Sequence, residues 1–210
     1  VLWYHTSRRS DTNKKVAQAK PFLGDIANII SGYLFRTTMT PDKGGKYSVV
    51  QIKNTSKNNI DWANLPRTNI SGVKDDLVLR DGDVLFRSRG DKNQAVVVDG
   101  CPENVVAASQ LFIIRMKTDS VLPAYLGWYI NQRPAQRYFD RYARGSYIRL
   151  INKSTLSKLK IVIPAVEVQE KIVKVYKLGL REQELINEIS KKRSEVTKGI
   201  LLRCISGKKR

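Results

Sequence analysis

Histidine is nearly missing from this 210-residue chain: His5 is the only one. That excludes a metal site built on several histidines, and it leaves a nucleophile–histidine–acid triad with no base outside the N-terminal tail. Cysteine is scarce too. Cys101 and Cys204 stand far apart without the paired spacing of a structural zinc site, and two isolated thiols fit a reducing compartment. Acidic residues number 19 against 38 lysines and arginines. Those that cluster, Asp75, Asp76, Asp81 and Asp83, read as strand-flanking and turn positions. No candidate core strand carries the acid-x-lysine trio of a carboxylate-metal nuclease. Phosphate-cradling glycine loops and the GxSxG nucleophile elbow are also missing. No apolar run approaches the roughly 18 residues of a spanning helix, and the N-terminus lacks a signal-like apolar core. The expectation is a cytoplasmic chain with no catalytic residue, no metal site and no cofactor of its own.

What the chain has in excess is positive charge. A formal charge of +19 and a pI near 10.1 repel the compact state from itself and favour a polyanionic partner, because each phosphate contact releases counterions. Nucleic acid leads as that partner, ahead of an anionic membrane or a ribosomal association. Hydrophobic content of 41% supports a folded core, and the length suits one domain with an attached element of about forty residues.

Composition changes along the chain divide it into a basic tail (1–21), a mixed, strand-rich domain (22–164), a long helix (165–205) and a short basic tail (206–210). In the domain, FLGDIANIISG has helical spacing at Leu23, Ile26, Ile29 and Ile30, with Gly32 placed as a stop, and reads as a short helix or turn. The segments YSVVQIK, DLVLRDGDVLF, QAVVVDG, NVVAASQLFIIRM and LKIVIP are predicted as strands. Residues 53–75 form a long polar loop, and 123–143 a helix broken near Pro134 with Gly145 at its end. From Val166 the chain has no proline. Ile172, Val175, Gly179, Ile186, Ile189, Val196 and Ile200 follow an approximate heptad, interrupted by Glu182 and Arg193. Such a helix needs another helix against its stripe, or must fold back on its own domain.

Basic residues are organised in three places. Arg133, Arg137, Arg141 and Arg144 recur every three or four residues, which puts them on one helix face suited to phosphates. Tyr138, Phe139 and Tyr142 interleave with them as core contacts in preference to stacking platforms. A second spot, Arg87-Ser88-Arg89-Gly90-Asp91-Lys92-Asn93-Gln94, offers residue types that pair with guanine and adenine edges. The third is Gly145-Ser146-Tyr147-Ile148-Arg149. Arg87, Arg89, Lys92, Tyr147 and Arg149 are the expected DNA contacts, with Arg36 and Lys53 behind them.

These pieces resemble the specificity subunits of Type I restriction–modification enzymes. The phrases that carry the likeness are LGDIANIISG (23–32), DLVLRDGDVLFRSRG (76–90), SQLFIIRM (109–116), PAYLGWYI (123–130), GSYIRLINKSTLSKLKIVIP (145–164) and EVQEKI (167–172), in that order over about residues 22–205. The resemblance implies an α+β target recognition domain followed by a helix that pairs as an antiparallel coiled coil. Gly24, Asp25, Gly82 and Asp83 match shared phrases and read as turn-forming scaffold. A full-length member of that family has two recognition domains and two spacer helices for the two halves of a gapped site. With one of each, this chain resembles a half subunit that homodimerises, or one half of a longer chain. The partners so implied are double-stranded DNA, methyltransferase subunits holding adenosylmethionine, and restriction/translocase subunits using ATP and Mg²⁺, in a bacterial or archaeal cell. Two other classes compete: a stand-alone DNA-modifying or DNA-cleaving enzyme with an unrecognised site, and an RNA-binding protein.

Overall fold

The computed structural model describes residues 20–35, 39–56, 58–143 and 149–205. Its entrance is a turn, the shorter of the two expected forms, and a strand that was not expected follows it. Only one turn forms, α1 (Leu23–Ile26), with the Asp25 carboxylate accepting from Phe22 N at 3.0 Å, and the chain then runs directly into strand β1 (Ala27–Ser31). Ile29 and Ile30 satisfy either period. Pairing decides, because they lie opposite Ile114 and Ile113 of a later strand, where β-branched side chains pack well. Gly32 is a point of close approach and not a helix stop: a Cβ there would sit 2.3 Å from the Ala108 carbonyl oxygen.

The following strands are β2 (Tyr47–Val50), β3 (Arg67–Thr68), β4 (Val84–Arg87), β5 (Arg89–Gly90), β6 (Ala95–Val97), β7 (Val105–Ala107) and β8 (Leu111–Met116). Between them, the described residues of the polar stretch carry β3, a 3₁₀ turn at its start (Ile52–Asn54) and a lone bridge between Thr55 and Ile60. The expected strand from Asp76 is shorter than predicted: Asp75–Leu77 is a 3₁₀ turn and Val78 makes a lone bridge to Val106. Four strands form an antiparallel sheet in the order β1-β8-β4-β6, and β3-β2-β7 form a second sheet whose β2–β7 pairing is parallel.

The central strands read as unbroken apolar runs because both faces of the larger sheet are covered. Val84 and Phe86, with Phe112 and Ile114, enter one core, while Leu85, Leu111 and Ile113 enter another shared with Val50, Val105 and Ala107. Two helices close the first core, α2 (Pro123–Ile130) and α3 (Arg133–Tyr142). The break between them falls at Asn131 and Gln132, just ahead of Pro134, which occupies the first turn of α3, where its missing N–H matters least. Asn131 explains the break. Its side-chain amide donates to Ala95 O at 2.7 Å and accepts from Ala95 N at 3.0 Å, so it caps the edge strand β6 as a further strand would.

After α3 come β9 (Arg149–Leu150) and a short helix, α4 (Lys153–Ser157), which the sequence did not suggest; Asn152 caps it by accepting from Thr155 N at 2.7 Å. Gly24 lets α1 lie against α4, since a Cβ would meet that of Ser157 at 3.1 Å. The segment LKIVIP is extended but holds a single bridge, Phe22↔Lys160, so it closes the domain onto its own entrance and joins neither large sheet.

The last helix, α5 (Val166–Ile205), is 40 residues long. Its first turns are fixed to the domain by fully buried Gln169, which accepts from Leu122 N at 2.9 Å and donates to Ser120 O at 2.8 Å and Pro164 O at 2.9 Å. Ile172 and Val173 pack on the first core, and Tyr176 donates to Asn58 Oδ1 at 2.6 Å. Every residue from Arg181 to Ile205 is exposed, so this part of the helix does not fold back on the domain. Among the described residues, no helix is long and apolar enough to cross a membrane.

Candidate nucleic-acid interface

The C-terminal end of β4 gathers segments distant in sequence. Ser88 is buried; its hydroxyl donates to Gln110 O at 2.7 Å, and its own carbonyl accepts from Ile151 N at 2.8 Å. That second bond aligns β5 with β9 in a small antiparallel pair, Arg89 opposite Leu150 and Gly90 opposite Arg149. The basic spot at 87–94 and the strand Arg149–Leu150 are thereby neighbours, although some sixty residues separate them in the sequence. Gly90, at φ +129°, supplies a backbone conformation that other residues rarely adopt.

Helix α3 is joined to the same corner. Gln136 donates to Asn93 O at 2.9 Å and to Ile130 O at 2.8 Å, while Asn93 donates from its amide to Arg87 O at 3.0 Å. With Ala135 and Phe139 buried and the Phe139 ring 5.0 Å from that of Phe86, the opposite face of α3 is left for Arg133, Arg137 and Arg141, all exposed. The aromatics interleaved among them divide. Phe139 is core, Tyr138 is half-buried and donates to Thr155 O at 2.8 Å, and Tyr142 is 50% exposed. Burial raises the pKa of the Tyr138 phenol, as does the neighbouring Tyr142.

Arg87 differs from its neighbours. Its Nε donates to Thr55 Oγ1 at 2.9 Å and a terminal nitrogen donates to the Thr55 carbonyl, so the guanidinium braces the polar stretch 51–65 against β4. Desolvation pulls the Arg87 pKa down, with the nearby Asp91 charge working in the opposite direction. Arg89 and Lys92 are the exposed bases of this stretch. Lys53, two residues before Thr55, is exposed as well, and the Arg87–Thr55 brace brings its turn to the same end of the domain. Asn93, by contrast, is buried and belongs to the scaffold. Arg36, Arg144 and Tyr147 lie outside the described residues, and Arg149 is described by its place in β9 alone.

The turn residues Gly82 and Asp83 support this end from behind. Gly82 has φ +87°, and buried Asp83 accepts from Arg80 N at 2.9 Å and holds Arg115 through two bonds of 2.8 and 2.7 Å. That bond to Asp83, outweighing burial, raises the Arg115 pKa. Arg115, Asn131, Gln136 and Gln169 were not singled out from the sequence. Arg115 lies in the apolar run LFIIRM and Asn131 directly follows PAYLGWYI, a local conflict that was the available signal, whereas Gln136 and Gln169 stand among polar residues and carry none. Among the described residues, no group of three or more potential metal ligands is found.

A family model for the Type I restriction modification DNA specificity domain matches residues 19–192. The chain belongs to that family. It is a specificity domain for DNA recognition and not a catalyst. No match was found among curated proteins. Solved structures share the fold. A chain described under the structural basis of complex assembly and conformational transition of the type I R-M system aligns with TM-score 0.64 and 19% identity, over 94% of this chain and 46% of its own. The HsdS subunit from Thermoanaerobacter tengcongensis aligns with TM-score 0.56 and 20% identity over 83% and 40%, and the Type I S subunit from M. genitalium with 0.57 and 14% over 93% and 47%. This chain thus spans less than half the length of those relatives.

Proposed function

We propose that this specificity domain reads one half of a bipartite, gapped duplex site and carries methyltransferase subunits, and through them restriction/translocase subunits, to it. The observation that carries this reading is a set of exposed bases gathered at one end of the domain. Exposed Arg89, Lys92, Lys53, Arg133, Arg137 and Arg141 are tied together by the Ser88–Ile151, Asn93–Arg87, Gln136–Asn93 and Arg87–Thr55 hydrogen bonds. Bases on α3 suit phosphates, and those on the β5 corner suit base edges, because a narrow loop enters a groove where a helix face lies along a backbone. Adenosylmethionine, ATP and Mg²⁺ belong to the partner subunits in this reading.

In this reading the long helix α5 serves as spacer and pairs with a second such helix, which its exposed apolar stripe supports. Two assays test the reading together. Light scattering of the chain with a Type I methyltransferase subunit should give a complex. Plasmid incubated with the chain alone, Mg²⁺ and adenosylmethionine should be neither cut nor methylated; turnover by the chain alone would overturn the reading.

A further inference from the structure

Four aromatic rings from separate parts of the chain converge beside α3, where the set of exposed bases leaves them unexplained. Phe22 at the domain entrance, Tyr129 of α2, and Tyr138 and Tyr142 of α3 line an open cleft of about 630 Å³. Ligand sites commonly measure roughly 300–1,000 Å³. The walls are fixed from behind. Tyr138 donates its hydroxyl to Thr155 O at 2.8 Å, Tyr129 donates to Lys160 O at 3.3 Å, and the bridge between Phe22 and Lys160 ties the entrance to the same wall. Phe22 and Tyr142 are nevertheless 43% and 50% exposed, more than a core contact leaves, and the Tyr138 and Tyr142 ring centres lie 4.7 Å apart.

Charge around the cleft has one sign. Lys158 and Lys160 line it, both exposed, and the Lys160 ammonium lies 5.6 Å from the centre of the Phe22 ring. Among the described residues no acidic side chain lines the cleft, and neither lysine is in an ion pair. A neutral apolar occupant strips water from two ammonium groups and gives nothing in exchange. An anion with a flat, unsaturated face supplies both the charge and the ring contact that the cleft lacks.

Helix α3 selects among such anions. Arg133, Arg137 and Arg141 form one row along it, and Pro134, Tyr138 and Tyr142, each one residue further on, form the adjoining row that faces the cleft. A strand whose phosphates lie along the arginine row therefore passes the lip of the aromatic cleft. A paired base presents only its edges to a protein, whereas an unpaired base has a face free to stack on tyrosine or phenylalanine.

We propose that this cleft holds an unpaired nucleotide of a bound strand, its base against Tyr142 and Phe22 and its phosphate at Lys158 and Lys160. The proposal rests on the reading of the α3 arginines as phosphate contacts and adds a single-stranded site beside them. The test measures anisotropy of the full chain with a blunt duplex, the same duplex carrying a short single-stranded extension of either polarity, and that duplex with an abasic extension of equal length. Phosphates are matched in the last two, so their difference isolates stacking. The base-bearing extension should bind about fivefold or more tighter than the abasic one. Tyr142→Ala should abolish that difference and Tyr142→Trp should retain it. A 2-aminopurine in the extension should lose fluorescence on binding the unsubstituted chain and keep it with Tyr142→Ala. Lys158→Gln with Lys160→Gln should weaken binding of both extensions. Equal affinity for base-bearing and abasic extensions, with duplex binding intact, overturns the cleft proposal and leaves the α3 reading standing; failure to bind the blunt duplex overturns both. A Tyr142→Ala chain that keeps the stacking gain but no longer joins a methyltransferase subunit makes the cleft a protein-docking surface, and overturns the proposal too.

Discussion

Arg87 and Arg89 are two residues apart and equally basic, but Arg87 is hydrogen-bonded to Thr55 and Arg89 is exposed. Arg87→Ala removes two charge-assisted hydrogen bonds to Thr55, a residue only 6% exposed. Such bonds contribute about 1.5–3 kcal/mol when well shielded; the guanidinium is only partly buried, so the pair together is worth about 2 kcal/mol. For a chain of this size that is a fall in Tm of roughly 4–8 °C, readable by calorimetry or circular dichroism. Arg87→Lys keeps the charge but loses the planar fork, and should recover part of the fall. Arg89→Ala removes an exposed side chain and should change stability by no more than about 0.5 kcal/mol. Under the proposed function its effect falls on DNA binding: either about 1–3 kcal/mol of discrimination at one base pair, or a salt slope shallower by roughly one. If Arg87→Ala leaves Tm unchanged while weakening duplex binding as Arg89→Ala does, the brace assigned to Arg87 is wrong.

Gln169→Leu removes the buried amide that pairs the Leu122 N–H and the Ser120 and Pro164 carbonyls. A loss of about 3 kcal/mol in chemical denaturation and faster hydrogen exchange at Leu122 are expected; unchanged protection would show that Gln169 does not anchor α5. Arg137→Ala with Arg141→Ala should weaken binding to all duplexes alike and lower the salt slope by roughly two, as measured by anisotropy titrations at several salt concentrations, whereas a change confined to one sequence would make them readers. Cys101 should resist thiol reagents at pH 8 while Cys204 reacts. Burial, with Asp81 and Asp83 adding to it, pushes the Cys101 thiol up to about 11 from its ordinary 9.0. The fold therefore favours the protonated thiol, and the associated stability is full below about pH 9 and declines as pH rises towards 11. Equal labelling rates at pH 8 would contradict this.

The strong apolar runs at Val84–Phe86 and Leu111–Ile114, the end of the broken helix before Pro134 and the unpartnered stripe of α5 were legible because period and proline chemistry are local signals. Ile29 and Ile30 misled because their spacing fits helix and strand alike, and the strand wins only through pairing with β8. LKIVIP misled in the opposite direction, being apolar and β-branched yet placed where only the entrance segment could pair with it. In the basic end, the α3 arginine face followed from spacing. The difference between Arg87 and Arg89 did not, because it depends on Thr55, thirty-two residues upstream. Nor did the pairing of β5 with β9, which joins two basic spots only through the fold.

Selection from a pool of randomised duplexes by the full chain, with the bound fraction sequenced at near-physiological salt, tests the central claim most directly. A specificity domain reading half of a divided site, presented twice by a two-fold helix pair, should enrich a short fixed sequence repeated in inverted orientation across a gap of constant length. Binding without enrichment of any sequence would mean that the basic end holds phosphates only, and would contradict the account.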